Sequence, residues 1–210
     1  TEMMQLLVDA KAAPIAHDLQ LMTRACIEGR VADVQRMIDE GFPAIVSVTM
    51  LTPLELAAKH NHTAIVEMLL AARSDVNYRS WNGMTPLHYA VMNRDINTAR
   101  VLLEAGAPLH PPYSHISPLL FAIELGYEDV VQFLIDSQAD INAWSKDLDM
   151  SALLYAIVCE HNGIAKMLIG GHADVNASGV SSGKRAPLSY AVEQSNTELA
   201  RLLIDAKADV

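Results

Sequence analysis

A six-residue phrase returns along this chain at a nearly fixed interval. It reads Thr52-Pro53-Leu54-Glu55-Leu56-Ala57, then Thr85-Pro86-Leu87-His88-Tyr89-Ala90 and Ser117-Pro118-Leu119-Leu120-Phe121-Ala122. Two further copies are Ser151-Ala152-Leu153-Leu154-Tyr155-Ala156 and Ala186-Pro187-Leu188-Ser189-Tyr190-Ala191. Successive copies start 33, 32, 34 and 35 residues apart. A period of that size predicts a solenoid, in which each unit buries its apolar face only against its neighbours. The 210 residues hold about six such units.

Each phrase reads as the start of a helix. Thr or Ser caps the first turn with its hydroxyl, and Pro occupies the first helical position, where a missing N–H costs nothing. Leu and Ala then share one face. A second helix follows about ten residues later, marked by apolar pairs such as Met37-Ile38, Leu69-Leu70, Leu102-Leu103, Leu134-Ile135, Leu168-Ile169 and Leu202-Leu203. After it comes a polar, extended segment, Asp75-Val76-Asn77, Asp140-Ile141-Asn142 or Asp174-Val175-Asn176, whose Asp and Asn suit a tight turn. The architecture predicted is all-α, with two helices and one projecting finger per unit.

Composition narrows the function. Apolar residues make up 51% of the chain but aromatics only 5%, so the core is Ala, Leu, Val, Ile and Met. The net charge of −10 disfavours nucleic acid and anionic membrane and favours a basic or mixed-charge partner. No apolar run reaches the ~18 residues that span a bilayer, and the first residues do not read as a signal peptide. Cys26 and Cys159 lie too far apart along a solenoid to bridge; both are expected to be buried free thiols in a reducing compartment.

The phrase, the helix pair and the Asp-x-Asn finger together resemble the ankyrin repeat. The Thr-Pro-Leu-His run at 85–88 and the stretch Ala57 to Val66 are the most specific matches, and the resemblance covers the whole chain. It implies a single domain over 1–210: a partial repeat at 1–15, then repeats near 16–48, 49–81, 82–114, 115–147, 148–182 and 183–210. The chain opens and closes in mid-repeat, which predicts a piece of a longer array. The turn between paired helices, usually Gly in such repeats, is Gly29, Asn61, Arg94, Gly126, Glu160 and Ser195 here. Arg and Glu enter the left-handed conformation reluctantly, so the third and fifth repeats are expected to be strained or differently shaped there.

No catalytic, metal or cofactor constellation stands out. His62, His88 and His161 read as structural histidines bonded to backbone, and Gly179 to Arg185 lacks the spacing of a phosphate loop. No enzyme and no cofactor are expected. The resemblance instead implies docking of a partner protein or peptide on finger tips and inner helices. The residue before each phrase then faces the groove: Leu51, Met84, Ile116 and Met150, followed by Arg185. Finger aromatics Trp81, Tyr113 and Trp144, with Arg79 beside them, complete the expected surface, since Trp, Tyr and Arg dominate interface energetics. Leu56, Tyr89, Phe121, Tyr155 and Tyr190 form a column expected in the core. Two rival readings are a docking or regulatory region of a larger enzyme, channel or ubiquitin-ligase adaptor, and a methyl-lysine peptide reader. Trp81 and Trp144 stand two repeats, about 20 Å, apart, so only Tyr113 between them could complete an aromatic cage. An intracellular setting, cytoplasmic or nuclear, or the host cytosol for a bacterial effector, is implied.

Overall fold

The computed structural model describes residues 18–42, 51–80, 83–111, 116–179 and 185–209. Two compact units divide the chain at Ala107 and Pro108. The first contains α1 (18–28), α2 (Val31–Asp39), α3 (Pro53–Lys59), α4 (Thr63–Ala71), α5 (Pro86–Met92) and α6 (Ile96–Glu104). The second contains α7 (Pro118–Glu124), α8 (Glu128–Asp136), β1 (Trp144–Ser145), β2 (Met150–Ser151), α9 (Ala152–Val158), α10 (Asn162–Gly170), α11 (Pro187–Glu193) and α12 (Thr197–Asp205).

Within each unit the helices form antiparallel pairs that stack in sequence order. In the first, α3 packs on α4 and α5, and α4 packs on α2 and α6. In the second, α7 packs on α9 and α9 on α11, while α8 packs on α10 and α10 on α12. The phrase explains the stack. Its Leu and Ala, such as Leu87 and Ala90 or Leu119 and Ala122, are wholly buried. Alanine at that place lets neighbouring helices approach closely, and the leucine fills the layer between them.

The helices that the phrase opens follow the cap chemistry with one exception. The hydroxyls of Thr52, Ser117 and Ser151 accept from the N–H groups of Glu55, Leu120 and Leu154. In α5 the His88 ring reaches back, its Nδ1 accepting from the Thr85 N–H at 3.0 Å. Ala186 has the extended backbone of a cap but no hydroxyl. Ala186→Ser should therefore raise stability by about 1 kcal/mol, read as a shift in the urea midpoint; no shift would mean that the Ala186 carbonyl, which accepts from the Ser189 N–H at 3.0 Å, already satisfies it.

Helix ends share one geometry. Each first helix closes with an N–H bonded back to the carbonyl of the phrase alanine or its equivalent: His62 to Ala57, Asp95 to Ala90, Tyr127 to Ala122, His161 to Ala156 and Asn196 to Ala191. This six-residue closure needs one residue in the left-handed region. Gly29, Asn61, Arg94, Gly126, Glu160 and Ser195 all adopt it, with φ between 55° and 71°. The expected difference in shape at Arg94 and Glu160 is absent: the tertiary stack imposes the glycine conformation on them, and the cost stays local as backbone strain. A second such set closes the second helices at Gly41, Arg73, Gly106, Gln138, His172 and Lys207.

The aromatic column is only partly core. Leu56, Tyr89 and Tyr155 are buried, but Phe121 and Tyr190 are half-buried. Cys26 is buried as expected, and burial pushes its thiol up to about 12. Cys159 departs from expectation: it sits at the end of α9 and is half-buried, because its place in the repeat lies past the last residue that faces the next helix pair.

Candidate functional site

The fingers begin with a turn that the Asp-x-Asn sequence builds for itself. The Asn77, Asn142 and Asn176 N–H groups each donate to the carboxylate two residues back, on Asp75, Asp140 and Asp174, at 2.9 Å. In the second unit the fingers are also tied to one another. Asn142 Oδ1 accepts from the Asp174 N–H and Asn176 Oδ1 from the Asp209 N–H, both at 2.8 Å. His110 Nε2 accepts from the Asp140 N–H at 3.2 Å. Each finger therefore fixes the next, and the surface they carry is pre-formed.

In the second unit one finger is a hairpin. Trp144 pairs with Ser151 and Ser145 with Met150 across an antiparallel ladder. Ser145 and Ser151 are buried, while Trp144, the cross-strand partner of Ser151, remains 41% exposed. Leu148 at the hairpin turn is equally exposed. The next finger presses against this one: a side chain at Gly179 would collide with the Asp149 carbonyl. That close approach, and not phosphate binding, explains the first glycine of the 179–185 segment. Ile116 and Met150 are half-buried. Arg185 is exposed, and its guanidinium lies 2.9 Å from the Glu193 carboxylate. The expected basic end of the groove is thus partly neutralised from its own helix.

In the first unit Leu51 and Met84 are half-buried, and Arg79 is exposed beside the exposed Tyr78. Met84 is held in place through its backbone: its carbonyl accepts from the Ser80 N–H at 3.0 Å and the Ser80 hydroxyl at 3.1 Å. Trp81 and Tyr113 lie outside the described residues. Structure thus places Trp144 and Met150 in adjacent pairs of one ladder, and so on its opposite faces, and Arg79 and Met84 on one finger. The exposure of Leu148 was missed from sequence, although its place midway between two strand-length runs marks it as a turn.

The histidines have the structural roles expected. His62 Nε2 lies 3.0 Å from the Ile27 carbonyl and His161 Nε2 3.4 Å from that of Glu124, each bridging back to the preceding repeat. Each imidazole lies directly over the turn glycine of that repeat, Gly29 or Gly126. After two of the turn residues that have a side chain the following repeat carries another cap, though Tyr127 after Arg94 makes none. Asn61 is followed by Asp95, which accepts from the Thr98 N–H, and Glu160 by Asn196, which accepts from the Leu199 N–H. Among the described residues no group of His, Cys, Asp and Glu is placed to hold a metal ion. No helix among them is long and apolar enough to cross a membrane.

Comparison with known proteins agrees with this geometry. A family model described as "Ankyrin repeats (3 copies)" matches residues 21–112, 54–145 and 119–210. The chain is 30% identical over 139 residues to neurogenic locus notch homolog protein 1 of Mus musculus, a match covering 59% of this chain and 6% of that protein. It is 32% identical over 99 residues to NF-kappa-B inhibitor alpha of Gallus gallus, covering 44% of this chain and 31% of that protein. The chain thus spans a small part of the notch protein's length and under a third of the inhibitor's. Among solved structures, the ankyrin repeat domain of Bcl-3, described as a unique member of the IkappaB protein family, superimposes with a TM-score of 0.80 at 25% identity, covering 90% of this chain and 86% of that one.

Proposed function

This chain belongs to the ankyrin-repeat family, and on that premise we propose that it recognises a partner protein or peptide through its finger tips and the residues that open its first helices. The fold is an all-α solenoid of paired helices with β-turn fingers, a protein–protein interaction module. The anchors in the second unit are Trp144, Ile116 and Met150, with Arg185 at the margin. Those in the first are Leu51, Arg79 and Met84, and Trp81 and Tyr113 complete the set.

The observation that carries this reading is the exposed tryptophan. A Trp left 41% exposed on a hydrogen-bonded hairpin keeps a substantial apolar face open to solvent. It offers a partner a large, rigid apolar face with little left to order. The net charge of −10 adds a preference for basic or mixed-charge segments. The resemblance of the relatives also supports the reading, since one of them is named as an inhibitor of another protein.

A randomised peptide library displayed on phage and selected against the chain provides the test. Selected peptides should bind Trp144→Ala at least about tenfold more weakly, while the melting temperature stays within a degree or two of the parent's. Peptides indifferent to Trp144→Ala would place recognition elsewhere. A sharp drop in melting temperature would make the tryptophan a structural residue.

A further inference from the structure

One junction between helix pairs in the second unit leaves a polar cleft. Where a turn is glycine, the imidazole of the following repeat fills the space over it, as His62 does at Gly29 and His161 at Gly126. Where α9–α10 meets α11–α12 both residues differ. The turn residue is Glu160, and the shorter Asn196 stands in the histidine's place. Asn196 reaches Asn162, its Nδ2 donating to Asn162 Oδ1 at 2.7 Å. What remains is a cleft of about 170 Å³ lined by Glu160, Asn162, Gln194 and Asn196. It lies between two helix pairs of this chain that pack on each other. Gln194 and Asn196 both reach back to the preceding pair, so the cleft is formed by the junction and not by the outer side of α11–α12.

Hydrogen bonds already made fix what the cleft offers. Gln194 Nε2 donates to the Ile157 carbonyl at 2.8 Å, which leaves the amide oxygen as an open acceptor. Asn196 Oδ1 accepts from the Leu199 N–H at 3.1 Å and its Nδ2 serves Asn162, so both ends of that amide are engaged. The nearby carboxylates of Glu193 and Glu198 are paired with Arg185 and Lys166, whereas Glu160 is exposed and pairs with no cation among the described residues. One full negative charge and one oriented amide oxygen therefore serve the same small volume. We propose that this cleft binds the guanidinium of an arginine side chain of another polypeptide. A guanidinium is planar, always charged and presents its N–H donors as a fixed fork, so it can bond a carboxylate and an amide oxygen together. A lysine ammonium is a more strongly hydrated point charge and gains less on entering such a site. The net charge of −10 draws cations toward the chain. Glu160 and Gln194 follow or cap the C-terminal ends of α9 and α11, whereas Trp144 and Met150 precede α9. The site thus stands or falls separately from recognition by the fingers.

Titration of the isotope-labelled chain with N-acetyl-arginine N-methylamide, followed by nuclear magnetic resonance, tests this. Saturable shifts are expected at the backbone N–H groups of Glu160 and Asn162 and at the side-chain amides of Asn162, Gln194 and Asn196. The same derivative of citrulline, which has the shape of arginine without its charge, should bind at least about tenfold more weakly. The arginine derivative should lose at least as much on Glu160→Gln and on Glu160→Gly, the second of which suits the left-handed turn, and keep its affinity on Trp144→Ala. Far-UV circular dichroism establishes that each variant is folded. No saturable shift at these residues overturns the proposal, as does equal binding of the arginine and citrulline derivatives. Shifts spread over other carboxylates and unchanged by both Glu160 variants would mean attraction to net charge alone, and would also overturn it.

Discussion

Gly29→Ala should destabilise the first unit by about 2–3 kcal/mol, far more than one methyl group on a surface turn would ordinarily cost. Two penalties combine. At φ +71° an alanine Cβ meets the following carbonyl, at about 1–2 kcal/mol. That Cβ would also stand 2.5 Å from Cε1 of His62, forcing the ring off the Ile27 carbonyl. The lost bond and the shift add about 1 kcal/mol. A double-mutant cycle separates the two: with His62→Ala in place, Gly29→Ala should cost only the backbone part, leaving a coupling energy of about 1 kcal/mol. Gly126 and His161 repeat the arrangement in the second unit and should repeat the result. Arg94→Gly and Glu160→Gly should act in the opposite sense, because both residues hold the same left-handed conformation with a Cβ. Relief of that strain, less the added freedom of the unfolded chain, leaves a gain of up to about 1 kcal/mol each. Urea unfolding followed by circular dichroism measures all of these. A Gly29→Ala variant as stable as the parent would refute the clash, and equal costs with and without His62 would refute the coupling.

The same residues show where reading the sequence succeeds and where it stops. The phrase located the five first helices α3, α5, α7, α9 and α11, though not α1, because Thr or Ser, Pro, Leu and Ala each have a local reason to be there: a cap, a fixed φ, a buried face, a close approach. The left-handed turn was legible at Gly29, Gly126 and Asn61, where the residue tolerates it; at Arg94 and Glu160 the strain expected is present and the alternative, a different shape, is not. At those two, packing of the flanking helices overrides local preference. The closing turns after the second helices were not read at all, since Arg73, Gln138, His172 and Lys207 carry no signal for φ above zero. The link between Gly29 and His62 is written in the sequence as a spacing, yet its cause is steric and lies between repeats. Surface exposure was the least legible property. Val192 and Val91 take the same place in α11 and α5, one bare and one wholly buried. Trp144 was placed correctly on a finger, but its exposure was not legible: it is exposed while Ser151, opposite it on the same face of the ladder, is buried.

Glu55 should make the stability of the first unit depend on pH in a direction unusual for a carboxylate. It stands where α5 has His88, it is wholly buried, and its Oε2 accepts from the Thr52 N–H at 2.7 Å and the Thr52 hydroxyl at 3.0 Å. Ser80 lies near enough to act on the same group, yet Oε1 has no hydrogen-bond partner. Burial pushes this carboxyl above the ordinary glutamate value of 4.5, against the opposing pull of the Thr52 and Ser80 donors. A group whose pKa is higher in the folded than in the unfolded state holds its proton more tightly when folded. Its contribution is therefore complete below pH 4.5 and is lost as pH rises through the raised value, where a carboxylate paired with cations would instead be gaining. Glu55→Gln keeps an acceptor for the Thr52 N–H and has no charge to bury. It should match the parent in acid, exceed it by about 1–3 kcal/mol above neutrality, and flatten the dependence between. Glu55→Ala removes the reciprocal cap and leaves a void, at about 2–4 kcal/mol in acid, where the carboxyl is neutral. Denaturant midpoints from pH 4 to pH 8 decide the matter: a parent whose stability rises steadily over that range, with Glu55→Gln below it throughout, would mean that the carboxylate is stabilised by its donors more than it is penalised by burial.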